Sequence, residues 1–312
     1  MGRARRKGRP IHGWLCLDKP AGMTSTAAVA RVRRTTQALK VGHGGTLDPL
    51  ATGVLPIALG EATKTVAYVM AGRKRYRFTA RWGEARTTDD AEGEIVATSA
   101  HRPGRAAIEA ALPEFVGRLD QVPPRFAAVK VEGERAYDLA RRGEAVELTP
   151  RQIEVESFVL VEQPDRDHAV FGLVCGRGTY VRALIRDLGE RLGCLGHVVA
   201  LRRLQAGSFG VEAALSLAAL EQLVADDALP QALLPVSAAL GDLPALALTE
   251  PQAHRLRAGQ TIRVAPGLII GGTSDDATVR ATAAGQMVAL ARLHGGELSP
   301  VRVFNLQSEP RG

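Results

Sequence analysis

Residues 42–53 read Gly-His-Gly-Gly-Thr-Leu-Asp-Pro-Leu-Ala-Thr-Gly, which places a single carboxylate, Asp48, in a run bounded by glycines. An ionised carboxylate held in such a loop can attack carbon or accept a proton. Pro49 confines Asp48 to extended backbone and so limits where its side chain points. The glycines on either side let another backbone come close. The run is neither a P-loop, since it lacks the Gly-Lys-Ser/Thr ending, nor a dinucleotide fingerprint, whose spacing it does not keep. A plain helix N-cap at Asp48, with proline at the first helical position, is the structural alternative. Gly53 and Pro56 leave no room for a full helix after Pro49, which counts against it.

Two more segments could contribute. Residues 174–182 (VCGRGTYVR) carry Tyr180 and Arg182 through a glycine turn into a helix. Residues 17–25 (LDKPAGMTS) carry Lys19 through another turn into a second helix. Taken singly, each is as easily structural as functional: Arg182 would be a solvated charge and Lys19 part of a tight turn.

The elements that must position these residues follow from periodicity. Residues 13–18 predict a strand, after which Thr24 or Ser25 caps a helix with Val29 and Val32 inward and arginines outward. Residues 54–59 predict a short buried strand. From 74 to 82 the chain alternates: Tyr76, Phe78, Ala80 and Trp82 on one face, Arg75, Arg77, Thr79 and Arg81 on the other. Residues 105–116 predict a helix with Ile108, Leu112 and Phe115 inward, and 125–131, 153–161 and 168–175 predict strands. Val181, Leu184, Ile185, Leu188 and Leu192 form one apolar stripe, with Arg182 and Arg186 together off it. A further helix is expected over 215–224, followed by a Pro- and Ala-rich stretch. Thr249 with Gln252 is a capping-box signature, and Gly259 ends the short helix that it opens. Beyond that come short apolar strands with Gly-Gly pairs at 271–272 and 295–296. Strands and helices without regular βαβ alternation predict an α+β fold, with a domain boundary near residue 245.

Charge is distributed unevenly. The net charge is +7, and residues 1–10 hold Arg3, Arg5, Arg6, Lys7 and Arg9 without an acid. Lys19, Arg31, Arg33, Arg34 and Lys40 extend that bias through 19–47, which suits a polyanionic partner. Cys16, Cys175 and Cys194 are scattered, form no Cys-x-x-Cys, and are expected to be reduced thiols. No histidine pair stands at metal spacing, and no run of about 18 apolar residues occurs. A soluble cytoplasmic protein, with neither a membrane nor a metal among its partners, is expected.

Residues 18–25, 42–53 and 178–182, in this order and spacing, closely resemble the TruB family. That family comprises the bacterial tRNA pseudouridine-55 synthases and their RNA-guided archaeal and eukaryotic relatives. The likeness runs from residue 13 to about 225. The later part, with Pro300-Val301-Arg302-Val303-Phe304 near its end, is similar to a small PUA-type RNA-binding domain. The resemblance implies a catalytic domain over 1–245, built on a mixed, largely antiparallel sheet with flanking helices, after a basic tail at 1–10. A PUA-like β domain over 246–312 would follow. Gly44 departs from the family pattern, which usually has threonine there, and Leu204-Gln205 replace a more usual Thr-Arg pair.

The implied reaction isomerises uridine 55 in the tRNA T-loop to pseudouridine. It breaks the C1′–N1 bond, turns the uracil over and rejoins it through C5. Atoms and oxidation state balance, so no metal, redox cofactor or nucleotide is needed. The resemblance makes Asp48 the catalytic carboxylate, acting by attack on carbon or by taking a proton from C2′. It makes Arg182 the cation that keeps Asp48 charged. Tyr76 would stack on the target base, although a phenol of pKa near ~10 is a poor neutral-pH base. The target must be extruded from a folded loop at a cost of a few kcal/mol, and His43 would fill the gap left behind. Lys19 would support the catalytic loop, Asp90 would lie near the site, and Leu201 would line the uracil pocket. A monomer without an obligate protein partner is expected. Two other functions compete: an RNA-binding or tRNA-folding protein, and an RNA-guided subunit of a complex. Intact Asp48, Tyr76 and Arg182 count against the first. A compact C-terminal part without a long lysine-rich tail counts against the second.

Overall fold

The structure is a computed structural model that describes residues 8–127, 130–131, 134–135, 148–264, 269–270 and 276–306. Most of the basic tail, the Gly-Gly pair at 271–272 and part of the strand expected at 125–131 lie outside the described residues.

Apolar composition drives the first strands inward. β1 (Gly13–Lys19) pairs antiparallel with β3 (Thr52–Leu59) along its whole length, with Asp18 opposite Val54 and Lys19 opposite Gly53. Between them, α1 (Ser25–Thr36) begins where Thr24 Oγ1 accepts from the Ala27 amide at 3.0 Å, and β2 (Val41–His43) adds to β3. The Gly-rich run therefore leaves β2, loops through Asp48 and re-enters the sheet as β3. A short helix, α2 (Val66–Ala71), leads into β4 (Lys74–Trp82), whose bounds match the alternating run. The hairpin of β5 (Glu84–Arg86) and β6 (Ile95–Thr98) follows, and then α3 (Arg105–Ala111), which tightens into a 3₁₀ turn over 112–115.

The strand expected at 125–131 is corrected. Residues 125–126 form a turn, and only the two-residue β8 (Lys130–Val131) pairs with β9 (Glu134–Arg135). The extended segment falls earlier, as β7 (Gly117–Gln121), on the free edge of the sheet beside β10 (Arg151–Glu162). β11 (His168–Cys175) pairs with β4, and α4 (Val181–Arg191) packs its stripe on the core. The longest unanticipated element is β12 (Gly196–Ala206), flanked by β3 and β4 and paired at its end with β13 (Phe209–Gly210).

The first sheet runs β1-β3-β12-β4-β11-β10-β7, antiparallel except where β12 lies parallel to β3. Gly53 makes that parallel contact possible. Its φ is +96°, and a Cβ there would stand 2.2 Å from the Arg203 carbonyl oxygen. The apolar face of β4 joins the Phe158 and Phe171 rings, with Phe78 and Phe171 5.5 Å apart. α5 (Leu217–Ala225) and a series of 3₁₀ turns then cross back over β1.

A second sheet begins with β14 (Ala245–Ala247), followed by α6 (Glu250–Arg257), opened by the Thr249–Gln252 capping box. It adds β15 (Ile262–Arg263), β16 (Ile269–Ile270), β17 (Ala277–Ala283), β18 (Gln286–His294) and β19 (Glu297–Val303). The two sheets share an apolar cluster in which Met287, Leu290 and Phe304 meet Trp14, Cys16, Val54 and Phe209. Lys64 Nζ donates to the Val303 carbonyl at 2.8 Å, and the Asn305 amide donates to Glu61 at 2.8 Å.

This seam yields an expected result. The main core draws on no residue beyond Leu233, so a chain ending near 244 should still melt cooperatively. It should do so roughly 5–10 °C below the full chain, because the shared cluster loses one wall. Differential scanning calorimetry checks this. Loss of any cooperative transition would show that the first sheet depends on the second.

Candidate active site

Asp48 lies on the wall of a cavity of about 320 Å³ that Tyr76, Tyr180, Arg182, Leu201 and Arg203 also line. This lies at the low end of small-ligand pockets.

The loop carrying Asp48 is fastened on every side. Ser25, in the first turn of α1, both donates to the Leu47 carbonyl at 3.0 Å and accepts from the Leu47 amide at 2.8 Å. Pro49 accepts from the Gly22 amide at 2.8 Å and from Lys19 Nζ at 3.3 Å. Lys19 is fully buried and donates as well to Pro20 and Met23 carbonyls, at 2.8 and 2.7 Å. From the opposite side the buried Arg203 donates to the carbonyls of Gly45 (3.0 Å), Thr46 (3.2 Å) and Val54 (2.8 Å). No helix follows Pro49, so the N-cap alternative for Asp48 falls.

Arg182 is 4% exposed, although it lies off the apolar stripe of α4. Its Nε stands 3.0 Å from Asp48 Oδ2, an ion pair whose N–H is not aimed at the oxygen. The rest of the guanidinium goes elsewhere. Nη1 donates to the Thr88 carbonyl at 2.8 Å and lies 3.4 Å from Asp90 Oδ2, and Nη2 donates to the Phe126 carbonyl at 3.1 Å. The arginine is therefore locked by a turn and a hairpin, and only one corner faces Asp48. Asp90 is 2% exposed and is held in turn by the Thr88 hydroxyl at 2.5 Å and the Glu92 amide at 3.1 Å. It touches Arg182 without lining the cavity. One turn along α4, Arg186 reaches Asp89 at 3.2 Å, and burial pushes that carboxyl up to about 6.

Tyr76 is on the wall, and burial pushes its phenol up, against the opposing pull of the Arg203 guanidinium. It stays protonated at neutral pH. Leu201, on β12, lines the same cavity. His43 does not: it lies at the end of β2, where its Nδ1 accepts from the Gly45 amide at 3.3 Å. Gly44, the departure in this run, has its own cause. A Cβ there would stand 2.8 Å from Val69 Cγ1, so the valine of α2 occupies the space of a larger residue.

Three contributors were not singled out from sequence. Arg203 belongs to β12, whose alternation puts it on the same face as Leu201; the apolar run before it was the available signal. Ser25 was seen only as a possible cap. Gln121 brackets the start of α4, accepting from the Tyr180 amide at 2.9 Å and donating to its carbonyl at 3.1 Å; nothing local marks it.

Lys19 gives a second expected result. Burial carries its ammonium down to about 8 from 10.5, against the pull of Asp48. Between those values the unfolded chain binds more protons at this lysine than the folded one, so stability rises with pH across the window. Lys19→Met removes the titration. Its deficit in Tm against the wild type should therefore widen between pH 7.5 and 9.5, and thermal melts at the two pH values measure it. A deficit that narrows would mean the fold favours the charged form.

Among the described residues no cluster of His, Cys, Asp and Glu is arranged to hold a metal ion, and the three cysteines are free and buried. No helix of the described residues is long and apolar enough to cross a membrane.

Residues 33–181 match the family model for the N-terminal domain of TruB family pseudouridylate synthases, and residues 182–241 match that for the C-terminal domain of tRNA pseudouridylate synthase B. The chain is 55% identical over 309 residues to the tRNA pseudouridine synthase B of Bradyrhizobium diazoefficiens, covering 97% of this chain and 88% of that one. It is 52% identical over 306 residues to that of Caulobacter vibrioides, covering 97% and 99%. Among solved structures, an H/ACA RNP bound to a substrate RNA containing 2′-deoxyuridine shares the fold with a TM-score of 0.74 at 24% identity, over 98% of this chain and 92% of that one. A Cbf5-Nop10-Gar1 complex gives 0.73 at 25% identity, over 94% and 84%. The loop that carries Asp48, the arginine that faces it and the sheet that holds both lie in a chain that belongs to the TruB family of pseudouridylate synthases.

Proposed function

We propose that this chain is a tRNA pseudouridine synthase that isomerises uridine 55 in the T-loop, acting alone and without a cofactor. The observation that carries the proposal is Asp48 on the wall of the cavity, 3.0 Å from a buried arginine. Extended likeness to curated tRNA pseudouridine synthases B supports the substrate.

In this proposal the T-loop uridine leaves its stack and enters the cavity against Tyr76 and Leu201. Asp48 is the catalytic carboxylate, and Arg182 pairs with it and orients it. Either route open to it, attack on carbon or removal of the C2′ proton, begins from the carboxylate form. The C1′–N1 bond breaks, a C1′–C5 bond forms, C5 gives up its proton and N1 gains one. Tyr76 stacks on the uracil and stays a phenol, so its hydroxyl donates. His43, outside the cavity at the mouth of the loop, fills the space the uridine leaves in the RNA. Lys19 and Arg203 fix the loop, and Asp90 fixes Arg182. The arginines of α1 meet phosphates. The second sheet, with exposed Arg255, Arg257, Arg263 and Arg302, serves as a PUA-like RNA-binding module over 246–312.

The test uses purified protein alone with an unmodified tRNA transcript labelled with tritium at uracil C5. Isomerisation expels that hydrogen, so about one tritium per tRNA should reach water without guide RNA or second protein. No release would contradict the proposal.

A further inference from the structure

Among the described residues three cations line the cavity, and two of them are accounted for. Arg182 serves Asp48, Asp90 and two carbonyls, and Arg203 serves three carbonyls. The third is Lys74. It stands two residues before Tyr76 on β4, so the two share a face of the sheet. Its side chain is buried and opens onto the same cavity. Nζ donates to the carbonyls of Met70 and Gly72 at the end of α2, the latter at 2.6 Å. An ammonium has three N–H groups, so one is left over.

Among the described residues no carboxylate lies within ion-pair distance of Lys74. The neighbouring titratable groups are Arg203 and Arg177, whose charges oppose its own, and the Cys175 thiol, which burial keeps protonated. Burial brings the ammonium down to about 8. A buried cation without an anion is costly, and this one sits where a nucleotide would enter. Resting on the proposed function, we infer that Lys74 binds a phosphodiester oxygen next to the target uridine through its unused N–H. A phosphodiester fits better than a uracil carbonyl, because Lys74 already has two carbonyls and lacks a full negative charge.

The test uses T-arm stem-loops with one methylphosphonate, a neutral replacement, immediately 5′ or 3′ of the target. One of the two should weaken binding to the wild type about tenfold. In Lys74→Gln the amide keeps two N–H groups for Met70 and Gly72 but has no charge and no third donor. That variant should bind the native RNA about tenfold more weakly and be indifferent to the same methylphosphonate. Lys74→Arg should recover most of the affinity, and Lys74→Met repeats the comparison if the glutamine variant does not fold. The inference is overturned if neither methylphosphonate affects the wild type, or if the wild type and Lys74→Gln lose equally. Conversion of the native stem-loop by the wild type is followed in parallel. Conversion with equal losses overturns only the role of Lys74, whereas absence of conversion contradicts the proposed function as well.

Discussion

Asp48→Asn should abolish isomerisation, lowering the single-turnover rate by roughly 10⁴-fold or more, while tRNA affinity stays within about threefold. Asparagine has nearly the same shape, and the loop is held by Ser25, Lys19 and Arg203 through backbone groups rather than through the Asp48 carboxylate. The substitution therefore removes a charge without releasing the loop. Arg182 keeps Asp90 and two carbonyls, so the fold should not suffer, and Tm should be unchanged or slightly raised. In the proposed function, binding draws on phosphates away from Asp48. Rapid-quench kinetics at saturating tRNA, with the dissociation constant measured on the same preparation, separates the two effects. A rate within tenfold of the wild type would remove Asp48 from the chemistry.

Arg182 should show the second largest effect, on two quantities at once. Arg182→Ala leaves Asp90 buried without a cation and orphans the carbonyls of Thr88 and Phe126. Breaking a buried pair on one side costs about 3–5 kcal/mol, so Tm should fall by roughly 10 °C. The rate of the folded enzyme should fall by about 10³-fold, because Asp48 loses its neighbouring cation. Arg182→Lys keeps a charge but has three donors for four partners and no planar fork. It should be milder in stability and still lose about 10²-fold in rate. A merely structural arginine would lower Tm and leave the folded enzyme's single-turnover rate intact. Arg182→Lys reacting within twofold of the wild type, assayed well below its Tm, would mean that.

The elements legible in the sequence were those whose period is local and unbroken. β4 alternates cleanly because one face is core and the other carries arginines, and α4 shows its stripe because its large apolar side chains all face the core. The elements missed depend on distant partners. β12 is flanked on both sides, and its pairing shifts register between Val198 and Ala200 and again between Arg203 and Gln205, so no single period describes it. β7 is a polar edge strand with one neighbour, and its sequence carries little to distinguish it from the turn at 125–126 that follows.

The candidate site divides the same way. Asp48 was visible because Pro49 and the glycines constrain it locally. Arg182 was visible as a charge but not as a buried one, since the groups that bury it come from the loop at 48, the hairpin at 88–90 and the turn at 126. Arg182 meets Asp48 through a single ion pair, because Thr88 and Phe126 claim the other nitrogens. Arg203 was illegible as a site residue, because its role rests on backbone carbonyls that no side-chain pattern reveals.

The most direct measurement is to map pseudouridine, nucleotide by nucleotide, in a full unmodified tRNA transcript after reaction with the purified wild-type chain and with Asp48→Asn. The account predicts one pseudouridine, at position 55, from the wild type and none from the variant, although both bind the RNA. Modification at another uridine, or at position 55 by both proteins, would contradict it.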